Sequence, residues 1–159
     1  MVVLLHNIRS LYNTGSIFRT ADAAGFSKIY LCGITPEPLD RFGRYRKEIS
    51  KVALGAEKYI EWEKFKSTGR LIDRLRKEGY KIWSIEQDED SVPYDKVRVS
   101  RKDKIALVLG SETKGLPKSI LEKSDKIIEI PMKGQKESLN VSVAFGIVAF
   151  TLGKNNKRK

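Results

Sequence analysis

Cysteine and histidine are almost missing from this sequence, with one of each. Cys32 alone allows no intrachain disulfide, and its place in the apolar run "IYLCG" marks it as a buried thiol of a reducing compartment. His6 has neither a second histidine nor a cysteine cluster beside it, so it is expected to be structural and no metal site is expected. Long hydrophobic runs are absent too. The opening "VVLLH" is too short for the apolar core of a signal peptide, and nothing approaches the roughly 20 apolar residues of a membrane span. A soluble, cytoplasmic protein is the expectation. Acids are the third shortage, 20 Asp and Glu against 31 Lys and Arg, a net charge of +11. That excess on so small a chain points to a polyanionic partner, with solubility as the plainer explanation.

What is present is a chain of 159 residues, 40% hydrophobic, long enough for one domain with a proper core. Residues 1–153 are expected to form that domain. The basic stretch "KNNKRK", residues 154–159, is expected to be a mobile tail. The short apolar runs "VVLLH", "KIYLCG", "KYIEW", "YKIWSI", "KIALVLG" and "KIIEIP" read as strands. Between them lie amphipathic segments: a helix from Asn13, another in "RKEISKVALG", a third in "GRLIDRLRKEG" with Leu71, Ile72 and Leu75 inward, and a short one from Pro117. This alternation predicts a mostly parallel sheet with helices on both faces, and ligands at the carboxyl ends of its strands.

The helix "NTGSIFRTADAAG" carries a small apolar stripe at Ile17, Ala21 and Ala24, with Asn13 and Thr14 as good opening residues. At about 100° per residue Arg19 projects away from that stripe. The last helix, "SLNVSVAFGIVAFTLG", has one stripe through Val141, Ala144, Phe145, Val148, Ala149 and Leu152 and a second apolar face at Val143, Ile147 and Phe150. A helix apolar nearly all round is covered on both sides. A homodimer is expected to supply the second cover.

Three loops have the composition of sites. "GSETKGLP", after the strand "KIALVL", lacks the Lys-Ser/Thr that a P-loop needs after its second glycine, because Leu116 and Pro117 follow Gly115. What remains is a glycine-bearing turn with Glu112 at its crest, which by itself is equally a solvated loop acid. "IPMKGQKESLNVSVA" repeats the strand-loop-helix arrangement. Ser138 there is a good N-cap, and capping alone explains it. Asn140 at the start of an apolar helix is read as a buried amide in need of partners. "RFGRYRK" sets four cations, Arg41, Arg44, Arg46 and Lys47, among Phe42 and Tyr45. That mixture suits RNA phosphates and stacked bases, and is also ordinary surface composition.

Taken together and in order, "NTGSIFRTADAAG", "LVLGSETKGL" and "IPMKGQKESLNVSVA" resemble the SpoU family of RNA ribose 2′-O-methyltransferases, part of the SPOUT superfamily. The first is close to that family's Asn-x-Gly-x-x-x-Arg-Thr-Ala pattern. The trio runs from Asn13 to Ala144, so the resemblance covers almost the whole chain. It implies an α/β fold, a Rossmann-like sheet whose C-terminal segment forms a deep trefoil knot, and a homodimer with the knot helices at its interface. It also implies S-adenosylmethionine as cofactor.

By the same resemblance, the backbone around Leu109, Gly110, Ile130, Met132 and Leu139 wraps the cofactor, with a contact near Ile85. Asn13, Arg19, Glu112, Ser138 and Asn140 line the reacting end, with Arg19 aimed at the substrate. Transfer RNA is expected before ribosomal RNA, with Arg41, Arg44 and Arg46 as RNA contacts. The competing expectations are a knotted RNA-binding protein without catalysis and a SPOUT base methyltransferase.

Overall fold

The computed structural model describes residues 1–153; the expected tail lies outside the described residues. Seven strands form one sheet: β1 (Val2–His6), β2 (Lys28–Cys32), β3 (Glu61–Phe65), β4 (Lys81–Ile85), β5 (Val92–Pro93), β6 (Ile105–Leu109) and β7 (Lys126–Glu129). Their spatial order is β3-β2-β1-β6-β4-β7-β5, and every pairing is parallel. The expectation of a mostly parallel sheet is met.

The central strands are apolar at consecutive positions because both of their faces are covered. Alternate residues face opposite ways. Val3, Leu5, Ile29, Leu31, Leu107 and Leu109 therefore pack under α1 (Leu11–Ala23), α2 (Lys47–Ala53) and α6 (Val141–Gly153). Val2, Leu4, Tyr30, Cys32, Ala106 and Val108 pack against α4 (Thr68–Lys77) and α5 (Lys118–Leu121), where Leu71, Ile72 and Leu75 are fully buried. Each such side chain contributes roughly 1.5–3 kcal/mol of burial. Cys32 is a buried thiol, as expected, and burial pushes its pKa up to about 12.

Several boundaries differ from the expectation. In "KYIEW" the strand starts only at Glu61, because Ala56–Tyr59 forms a short helix, α3, entered through left-handed Leu54 and Gly55. The helix expected from Asn13 starts at Leu11. Its N-cap is Ser10, whose side chain accepts a hydrogen bond from the Asn13 backbone. Gly15 lets this helix lie directly on α2: a Cβ there meets the Ile49 carbonyl oxygen at 2.6 Å. Along α6, Phe145, Val148, Ala149 and Leu152 are buried, while Val143 and Phe150 are half exposed. The second apolar face is thus bare in a single chain. Among the described residues no helix is long and apolar enough to cross a membrane.

Register places the ends of four strands side by side: Leu5 beside Leu109, Leu109 beside Ile85, and Ile85 beside Ile128. At about 4.8 Å between strands, these ends make a ledge on which the following loops rest.

Candidate active site

A cavity of about 480 Å³ sits on this ledge. Three loops wall it, those after β4, β6 and β7. Ile85, Leu109, Gly110, Ile130, Met132 and Leu139 all line it, so the six positions expected at the cofactor converge on one space. The volume and the mixed lining of apolar side chains and backbone edges suit a ligand of nucleoside size.

The loop after β6 folds back on itself. Ser111 bridges Gly115, and the Gly115 N–H donates to the Ser111 carbonyl at 2.9 Å. A Cβ on Gly110 meets the Gly115 carbonyl carbon at 2.3 Å, so only glycine fits beneath the turn. From the neighbouring loop the Glu86 carboxylate accepts the Leu116 N–H at 3.0 Å. Gln87 donates through its side-chain amide to the Glu137 carbonyl, which ties the third loop to the first.

Glu112 stands at the crest and accepts three hydrogen bonds. They come from the backbone of Arg9 (2.9 Å) and Ser10 (3.0 Å) and from Asn13 Nδ2 (3.1 Å). An ionised carboxylate only accepts, so Asn13 turns its NH2 toward Glu112 and leaves its Oδ1 free to accept. That oxygen takes the Asn140 Nδ2 at 3.0 Å. Asn140 in turn presents its Oδ1 to α6, accepting from the Ser142 N–H (2.9 Å) and hydroxyl (2.6 Å). One directional chain of hydrogen bonds therefore ties the start of α1, the β6 loop and the start of α6, residues 127 apart in sequence.

Partial desolvation alone raises the Glu112 pKa. The Arg9 and Ser10 N–H groups and the Asn13 amide outweigh it and hold the carboxyl below its ordinary value. Glu112 is thus a weak proton acceptor at neutral pH, and its arrangement is that of a clamp.

A model of the SpoU rRNA Methylase family matches residues 1–150. The chain belongs to that family. Among curated SpoU relatives, the 23S rRNA (guanosine-2′-O-)-methyltransferase RlmB of Ralstonia nicotianae is 33% identical over 150 residues, 94% of this chain and 57% of that protein. The crystal structure of an AdoMet-bound rRNA methyltransferase from Sinorhizobium meliloti superposes with a TM-score of 0.85 at 29% identity. It covers 99% of this chain and 57% of that one. The A. aeolicus TrmH/SpoU tRNA modifying enzyme gives a TM-score of 0.82 at 28% identity, covering 98% of this chain and 74% of that one. This SpoU chain thus spans little more than half the length of the curated relative.

Of the residues singled out in the SpoU motifs, Asn13, Glu112 and Asn140 are hydrogen-bonded together, and Ser138 lines the cavity beside them. Ser138 is not the cap of α6; Asn140 is, and it is exposed rather than buried, because the helix begins three residues later than its sequence suggests. Arg19 is exposed on α1, away from that helix's buried side and outside the cavity wall of its own chain. Arg41 and Arg44 are exposed and stack over Phe42, 4.7 and 5.0 Å from the ring centroid. Arg46 is half-buried, its Nε donating to the Glu37 carbonyl. His6 is structural in its contacts, with Nδ1 2.7 Å from the Thr68 hydroxyl. The sequence reading missed Glu86, Ser10 and the Arg9 backbone, whose partners lie up to 103 residues away.

Proposed function

We propose that this chain is the transferase unit of an RNA ribose 2′-O-methyltransferase using S-adenosylmethionine, formed by residues 1–153. The observation that carries the reading is the Glu112–Asn13–Asn140 chain at the edge of a cavity lined by all six expected cofactor positions. The family match and the relatives' names support it. The fit is good: apolar side chains from three loops offer faces for an adenine, and the turn built on Gly110 offers backbone N–H and carbonyl edges. When bound, this cofactor supplies an electrophilic methyl carbon on a sulfonium.

The chain's own part is alignment, which lowers the barrier of an in-line displacement by holding the attacking oxygen near the methyl carbon. Asn13 and Asn140, fixed by Glu112 and by α6, keep the rim in one arrangement. Ser138 offers a hydroxyl on the same wall. The forked guanidinium donors of Arg19 suit an RNA phosphate and the ribose hydroxyl.

A second copy of the chain completes the site in this reading. Val143 and Phe150 are 49% and 50% exposed on one face of α6, and Tyr12 is 50% exposed on α1, two turns from Arg19 on the same side. A partner covering these residues brings an Arg19 to a rim that lacks one. The C-terminal segment is proposed to be knotted. In support, Ile130, Met132, Ser138, Leu139 and Asn140 line the same cavity as the loops after β4 and β6, and the Gln87 amide donates to the Glu137 carbonyl.

Transfer RNA is the pool we expect first, and ribosomal RNA is the alternative carried by the 23S-directed relatives. The test is transfer of labelled methyl from S-adenosylmethionine to the two pools separately. Label recovered in 2′-O-methylnucleosides from either pool supports the reading and names the target, whereas label on a base overturns it. Cofactor binding with no transfer to either favours the RNA-binding protein without catalysis.

A further inference from the structure

The β6 loop has a second side. A cavity of about 490 Å³ lies there, sharing Ser111, Thr113, Lys114 and Gly115 with the cofactor cavity, so the loop is a partition between two chambers of similar size. A third hollow of about 390 Å³ continues from the second over the carboxyl ends of β1 and β2, and the two have His6, Asn7 and Pro117 in common. They form one groove that begins beside the Glu112 clamp and ends at the start of α4.

Its floor is fixed. His6 is held by Thr68, and Asn7, in the left-handed region at φ 54°, accepts the Ile34 N–H at 3.0 Å. Its rim is cationic. Arg9 and Lys114 line the first chamber and Lys66 the second; all three are exposed and make no ion pair among the described residues. Lys123, on the same rim, is by contrast paired with Asp73 at 2.6 Å. Ile34, 65% exposed and apolar, lines the same chamber as Arg9 and Lys114.

We propose that this groove holds single-stranded RNA next to the methylated nucleotide, with Arg9, Lys66 and Lys114 on phosphates and Ile34 under a base. The proposal rests on the RNA reading above and adds a path for the strand distinct from the Arg41–Lys47 loop. The spacing of charges over two connected chambers suits a polymer of phosphates rather than one small anion. The exposed apolar side chain suits an unpaired base, because a duplex keeps its bases inside a stiff cylinder with its phosphates outward.

The test is titration of an eight-nucleotide labelled RNA strand, and of a hairpin with the same composition, over several salt concentrations. Arg9→Gln/Lys66→Gln is compared with wild type and with Arg101→Gln/Lys102→Gln, which removes the same charge from the opposite, amino end of the sheet. Each single-strand phosphate contact contributes about 0.7 to the salt slope. The groove variant is therefore expected to lose about 1.4 from the slope and about 25-fold in affinity at 0.1 M salt. The control variant is expected to stay near wild type, the strand to bind better than the hairpin, and cofactor binding to be unchanged in all three proteins. An unchanged slope in the groove variant, or an equal loss in the control, overturns the groove. Absence of cofactor binding in wild type overturns the transferase reading and leaves the groove to be judged on its salt slope.

Discussion

Glu112→Gln is the perturbation whose consequence follows most completely from the geometry. The carboxylate uses Oε2 for the Arg9 N–H and Oε1 for Ser10 and Asn13. A glutamine oxygen can serve one side only, and its NH2 then faces a donor on the other. At best, two charge-assisted hydrogen bonds become neutral and one becomes a donor–donor contact. Charged hydrogen bonds contribute about 1.5–3 kcal/mol each when well shielded. This rim is open to solvent, so screening brings the total to about 1–2 kcal/mol. For a chain of this size that is a drop in Tm of about 3–6 °C.

The pH dependence supplies the check. Because the folded-state pKa of Glu112 is lowered, its stabilisation is fully present above the unfolded value, 4.5, and is lost as pH falls through the folded one. Urea denaturation of both proteins from pH 7 down to pH 3 is expected to show a gap that is constant at neutral pH and closes in acid. A gap that persists unchanged at pH 3, or no gap at pH 7, refutes the ionised clamp.

Gly110→Ala sets a methyl group 2.3 Å from the Gly115 carbonyl carbon, so the partition loop must move; calorimetric titration is expected to show S-adenosylmethionine affinity reduced at least tenfold, beside a lower Tm. Replacing Arg41, Arg44 and Arg46 together by Gln is expected to weaken RNA binding and reduce its salt slope by about 0.7 per lost single-strand contact, with cofactor affinity unchanged. Phe150→Asp puts a charge on the bare face of α6, and sedimentation is expected to find monomer where wild type is dimer.

The sheet and the ligand end were legible because they depend on local pattern. Four of the six expected strands end within a residue of their apolar runs, and Ile85, Leu109, Ile130 and Met132 lie at or just after strand ends where a parallel sheet places ligands. "KYIEW" misled because its β-formers begin inside a helical turn set by Leu54 and Gly55. β5 has two residues, too few for any pattern. The caps were misplaced for a different reason. Asn13 and Ser138 are equally good N-caps by composition, yet the Asn13 side chain is drawn off by Glu112, and Asn140 caps α6 while also reaching Asn13. Those choices are made by partners about 100 residues away, which no local window contains. Arg19's exposure followed from helical periodicity, whereas in the proposed dimer what it faces belongs to a surface outside its own chain.

The most direct measurement is alkaline digestion of RNA that this protein has labelled from S-adenosylmethionine. A methyl group on a ribose 2′-oxygen blocks that oxygen's attack on the adjacent phosphate, so the account predicts label in alkali-resistant dinucleotides, and none in RNA treated with Arg19→Ala. Label recovered in mononucleotides would place the methyl group on a base and contradict the ribose assignment.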